Sequence, residues 1–138
     1  MKYGDIVVYG GEIGEIVTSD GLYKFKPRHT GMCSYSTLDT ITENDVREAT
    51  HNEKLEFIES QFTRGYVVKI HCIGEYQIVE WIDKDNKTYW HVYINYISTN
   101  TAYYSLDEAL VGAVGYKYEG GNGRAAMYFS RMIGIKEE

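Results

Sequence analysis

Gly120-Gly121-Asn122-Gly123-Arg124 is the run of residue types best suited to holding an anion. Its glycines admit backbone conformations closed to residues with a Cβ. Asn122 is placed to cap a following helix, and the free amide hydrogens and dipole at a helix start attract negative charge. Arg124, in the first turn of that helix, carries a fork that bonds a phosphate through two donors. Tyr116, Tyr118 and Tyr128 put flat rings on both flanks, so a small phosphorylated nucleotide is the ligand these types would suit. The same residues also serve a bare interhelical turn, where glycine ends one helix and asparagine opens the next. Arg28, after Pro27 among aromatic strand residues, is the second candidate for phosphate contact, against the alternative of a solvated loop cation. Arg131 fits a helix C-terminal position better than a ligand contact.

Catalytic patterns are missing. The histidines, at 29, 51, 71 and 91, never recur at metal-binding spacing, and Cys33 and Cys72 form no CxxC pair. No metal and no cofactor is therefore expected, and both thiols are expected to be free, with Cys72 in the core. Asp83, Asp85 and Asn86 begin a calcium-loop pattern that then lacks its glycine and its closing glutamate, so they read as a hairpin turn. There is no G-x-S-x-G, no P-loop and no dinucleotide-binding fingerprint. A nucleophile built from Cys33 and His29 lacks a third group to orient it. The chain reads as a binder and not an enzyme.

The elements that must position these groups follow from pattern. Residues 1–41 read as short strands, Asp5 to Tyr9, Glu15 to Thr18 and Leu22 to Lys26, broken by Gly10-Gly11, Gly14 and the Asp20-Gly21 turn signal. Their opening, Tyr3-Gly4-Asp5-Ile6-Val7-Val8-Tyr9 with Gly11-Glu12-Ile13-Gly14-Glu15-Ile16-Val17, resembles SH3-like barrels. Residues 42–65 are expected to be mainly helical. Thr50 and Glu53 have capping-box spacing, and Leu55, Ile58 and Phe62 share a face that Gly65 closes. Residues 66–97 alternate as a three-stranded antiparallel meander, whose last strand runs from Thr88 to Ile97. Ser105 and Glu108 form a second capping box before a helix with Leu106, Ala109, Leu110, Ala113 and Val114 inward. Ala125, Phe129, Met132 and Ile133 mark another helix, so 105–134 reads as a helical hairpin packed on the sheet. The fold class is α+β, in a single domain of residues 1–138.

Composition narrows the partners. The net charge of −6 argues against general nucleic-acid binding but leaves room for a local basic pocket. Fourteen tyrosines against four phenylalanines suit ligand walls and subunit interfaces, and also suit strands. No apolar run reaches the roughly 18 residues of a membrane span, and the N-terminus is not a signal peptide, so a cytoplasmic place is expected.

The block Tyr104-Ser105-Leu106-Asp107-Glu108-Ala109-Leu110, Ala113 through Gly120, and Asn122-Gly123-Arg124-Ala125-Ala126 resembles small phage proteins, most of all the Thoeris anti-defence type 1 family. The resemblance implies a sponge that binds a cyclic ADP-ribose signal without cleaving it, in the cytoplasm of an infected bacterium. It also implies homo-oligomers with pockets between protomers, and arginines from a β region and a C-terminal helical region on the phosphates. Arg28 and Arg124 occupy such places. Tyr116, Tyr118, Tyr128 and Trp90 are the candidates for the aromatic that holds the base. The alternative is a phage inhibitor that docks a host protein, in the manner of an anti-CRISPR.

Overall fold

Two-residue turns set the strand registers. At Asp20 and Gly21, φ is 53° and 77°, which gives the left-handed pair that joins twisted antiparallel strands and puts Ser19 opposite Leu22. The computed structural model describes residues 1–118. Among them the chain is mixed α+β, with two antiparallel sheets of four strands each and two α-helices. Contacts divide it into two compact units, Met1–Gln61 and Phe62–Glu138.

In the first unit, β1 (Ile6–Tyr9), β2 (Glu12–Ser19), β3 (Leu22–Pro27) and β4 (Arg47–Glu48) lie in the order β3-β2-β1-β4. Val7, Ile16, Phe25 and Ile41 form a core cluster. Gly14 does not break a strand. It lies within β2 opposite Val7 and Pro27, where a Cβ would strike the Lys26 carbonyl oxygen and the Phe25 ring. Helix α1 (His51–Glu59) starts at the expected capping box: the Glu53 amide donates to Thr50 Oγ1 at 3.3 Å, and the Thr50 amide donates to Glu53 Oε1 at 2.9 Å. Arg47 adds a two-pronged contact to Glu53 at 2.7 and 2.9 Å. Those bonds hold the Glu53 carboxyl down at about 2, with Arg47 the larger cause and the Thr50 amide next. The helix is shorter than its pattern implied. It stops at Glu59, where the Ser60 hydroxyl donates to the Phe57 carbonyl at 2.6 Å, and residues 43–48 hold a 3-10 turn and β4 instead of helix.

In the second unit, β5 (Gly65–Ile73), β6 (Tyr76–Asp83), β7 (Thr88–Ile94) and β8 (Ile97–Tyr103) form a sheet in chain order. The meander has a fourth strand because the run from Thr88 to Ile97 is interrupted: Asn95 and Tyr96, with φ of 49° and 66°, make a turn. Gln77, 2% exposed, holds that turn in place. Its Oε1 accepts from the Tyr96 amide at 2.7 Å, and its Nε2 donates to the Glu75 carbonyl at 3.1 Å. The Asn95 amide reaches the same carbonyl at 2.8 Å, so the β5–β6 and β7–β8 turns share one buried amide side chain. At the other end, the Asp83 carboxylate accepts from the Lys87 and Asp85 amides, which lowers its pKa.

Helix α2 (Leu106–Tyr118) opens with the Glu108 amide on Ser105 Oγ at 3.1 Å. Ala109 and Ala113 are fully buried against Ile78, Val92 and Tyr103, with Leu106 and Leu110 at the margin of the cluster. Gly112 lies over Tyr103, where a Cβ would strike the phenol. Val114, expected inside, is 55% exposed. Cys72, expected in the core, is an exposed free thiol because β5 is an edge strand of the sheet. The rest of the 105–134 helical pattern lies outside the described residues.

Gln77→Leu keeps the side chain's bulk and removes both turn bonds, leaving the Tyr96 amide without its acceptor. It is expected to destabilise the second unit by about 2 kcal/mol. Urea unfolding followed by tryptophan emission reads this unit alone, since the chain's two tryptophans, Trp81 and Trp90, lie on β6 and β7. An unchanged midpoint would show that the shared amide contributes nothing.

Candidate functional site

The end of β3 carries the candidate site of the first unit. Phe25 points into the core, so Lys24, Lys26 and Arg28 share the opposite side by strand alternation. The Arg28 amide donates to the Ile13 carbonyl at 3.1 Å, which extends the β2–β3 ladder by one step and fixes the base of the side chain. His29 follows with φ of 66°, turning the chain into the loop that leads to a 3-10 turn at Tyr35–Thr37.

Arg28 is only partly neutralised. Its Nη1 bonds Glu56 Oε2 on α1 at 3.3 Å, and its side chain stays 35% accessible. Lys26 faces Glu15 across the ladder, with Nζ 3.9 Å from Oε1, at the outer limit of an ion pair. Burial raises the Glu15 pKa, and Lys26 opposes that shift. The Lys26 ammonium also stands 5.5 Å from the centre of the Tyr35 ring, in cation–π contact. An open cleft of about 490 Å³ adjoins it, lined by Lys26, Gly31, Met32, Cys33 and Tyr35. Sequence reading singled out Arg28 but passed over Lys26 and Tyr35. The alternation Lys24, Lys26, Arg28 was visible, whereas the return of Tyr35 onto Lys26 depends on the loop's path.

A second cleft in this unit, of about 440 Å³, lies among Lys2, Asp5, Glu43, Glu48 and Lys54. Its charges are already matched: Lys54 pairs with Glu48 at 2.9 Å, and the Met1 amine with Glu43 at 3.3 Å. Such a cleft offers an anion little net attraction.

The other candidates belong to the second unit. Tyr116 and Tyr118 occupy the last turn of α2. Asn122, Gly123, Arg124 and Tyr128 lie outside the described residues, as does the rest of the glycine-rich run. Trp90 packs against the α2 core cluster. Among the described residues, no three His, Cys, Asp or Glu side chains gather as metal ligands, and no helix is long and apolar enough to cross a membrane. No family model, no curated protein and no solved structure matches the chain.

The sheet face away from α2 carries an aromatic group. Phe62 stands 5.2 Å from Trp81, edge-on to His91 at 5.6 Å, and 6.3 Å from Tyr93, measured between ring centres. His91 Nε2 shares a hydrogen bond with Ser98 Oγ at 2.8 Å, and burial lowers the His91 pKa to about 4. Burial also raises that of Tyr93. In both groups burial disfavours the charged form.

The sign of the resulting pH dependence is fixed. An unfolded histidine titrates near 6.5, and the folded one near 4, so the unfolded state binds the extra proton between those values. The contribution is fully present above about pH 6.5 and is lost as pH falls toward 4, by an amount of order 3 kcal/mol. Urea midpoints across this range, compared with those of His91→Gln, measure it. The variant should show a flatter acid limb, and identical limbs would refute the assignment.

Proposed function

We propose that this protein is a non-enzymatic binder of a cyclic ADP-ribose-type nucleotide, a phage immune-evasion sponge that holds the host's Thoeris signal intact. One observation supports the reading: α2, anchored on its sheet by Ala109 and Ala113, runs to Tyr118, and in the sequence Gly120-Gly121-Asn122-Gly123-Arg124 follows it after Glu119. A rigid helix is the support a preorganised ligand loop needs, because ordering costs are then met before the ligand arrives. In this reading Asn122, Gly123 and Arg124 bind phosphate at a helix start, Arg28 meets the second charged group, and Tyr116, Tyr118 or Tyr128 stacks on the base. In this reading the first unit's strands are those of an SH3-like barrel, and the helical-hairpin reading of residues 105–134 extends beyond the described residues.

The working form is a homo-oligomer in the cytoplasm of the infected cell. In support, β5 is one of the two outer strands of its sheet and exposes Tyr66, Val68 and Ile73. Apolar surface of that kind is commonly covered by a partner.

Calorimetry with cyclic ADP-ribose isomers tests the proposal, and the ligand should be recovered uncleaved after denaturation. Arg124→Ala is expected to weaken binding by roughly 2 kcal/mol or more, since a phosphate loses a charge-assisted partner. Arg28→Ala should cost a similar amount or less. No heat and no thermal shift with any isomer would sink the sponge, and retrieval of one defined host protein on the immobilised chain would then favour the docking alternative.

A further inference from the structure

We propose that a strip of the second sheet left open beside α2, over β5, is the docking surface for residues 124–133 of this chain, packed there as a helix. Strand pairing puts the strip on the α2 face. Ile78 and Tyr76 pack with the α2 cluster, and their partners on β5, His71 and Ile73, point the same way. Glu80 and Ile82 follow by alternation along β6 and bring their partners Lys69 and Tyr66 with them. α2 itself packs on β6, β7 and β8. Tyr66 and Ile73, at the two ends of the strip, are 60% and 42% exposed. The helix has an unfilled flank on the same side. Gly112 lies over Tyr103 on β8. At about 3.6 residues per turn, Val111 and Val114 project from the flank turned away from Gly112, toward β6 and β5. Both are exposed.

The dimensions suit one more helix. β5 lies two strands from β7, about 10 Å across the sheet, and packed helices stand about 8–10 Å apart. The strip from Tyr66 to Ile73 is about 23 Å long, and residues 124–133 as a helix span about 15 Å. The chain continues past Tyr118 to Glu138. Residues 119–123 have the length that joins antiparallel neighbours, about two to five residues. Ala125, Phe129, Met132 and Ile133 recur at helical spacing, an apolar face for Tyr66, Ile73, Val111 and Val114. The middle of the strip is polar but matched: His71 Nε2 and Glu80 Oε1 share a hydrogen bond at 3.0 Å. The Lys69 stem can lie flat with its head in water, so covering the strip strands no charge. The inference rests on the hairpin reading of residues 105–134 and not on any ligand. It uses the face of β5 and leaves the strand's hydrogen-bonding edge to a second copy.

A nitroxide attached at Ser130→Cys, in a full chain that also carries Cys33→Ser and Cys72→Ser, reports the place of docking by broadening nearby amide signals in two-dimensional NMR. The expected result is loss of peak intensity at residues 66–73 and 111–114. Val114→Asp should restore that intensity, and Ile97→Asp, on the opposite flank, should not. Phe129→Ser, outside both α2 and the sheet, should also restore it, so the test survives if Val114→Asp disturbs α2. Broadening absent from residues 66–73, or centred on Ile97–Tyr103, would overturn the proposal. So would broadening carried from nitroxide-bearing chains to isotope-labelled chains without the label, since a second copy would then fill the strip. Carbon shifts of residues 124–133 separate this inference from the reading beneath it. Helical shifts without broadening on the strip would sink the docking surface and keep the hairpin, and non-helical shifts would sink both.

Discussion

The close approach of α2 to its sheet governs the second unit. Small residues make it possible: Ala109 and Ala113 are fully buried, and Gly112 lets the Tyr103 phenol lie directly beneath the helix. The gain is dense contact with Ile78 and Val92, both wholly inaccessible. A larger side chain at any of these three positions would push the helix outward and change where the chain emerges at Tyr118. The helix is intrinsically weak, with Gly112 and Gly115 in its interior, so packing must offset poor propensity.

Much of this architecture was legible in the sequence where one local rule acted alone. Both capping-box patterns mark true helix starts, and Asp20-Gly21 makes the turn its composition demands. The failures arise where a tertiary interaction decides. Asn95-Tyr96 reads as strand, since tyrosine favours strands and alternation continues through it. Buried Gln77, nineteen residues away, supplies the acceptor that makes the turn. Phe62 continues the helical spacing of α1, yet the chain has left the helix and its ring packs on Trp81, His91 and Tyr93. Val114 and Cys72 went wrong for a related reason: periodicity says which residues share a side, not how wide the covering element is or which strand lies at the edge.

The candidate site divides in the same manner. Arg28 stands out by residue type, and the structure adds its partner, Glu56, from a helix whose register no pattern links to residue 28. Nothing in the sequence separates Lys26 from any other strand lysine, and the structure adds the Tyr35 ring beside it. The glycine-rich run is a reading from residue type alone, and its residues lie outside the described part of the chain. A side chain's chemistry can be read from a sequence, but its degree of neutralisation needs coordinates.

That degree of neutralisation separates a structural cation from a binding one. Arg47 would have to surrender two short bonds to Glu53, which also caps α1, before it could serve an incoming anion. Its helix start would lose support in the exchange. Arg28 would surrender one longer contact to a mostly exposed carboxylate that water can resolvate. An exposed pair of that kind is worth little, so an anion able to form two charge-assisted bonds outcompetes it. A weak resident partner has its own use, because a contact with Glu56 narrows the rotamers open to the guanidinium. Arg28 is thus held by a partner that is easily exchanged, in contrast to Arg47.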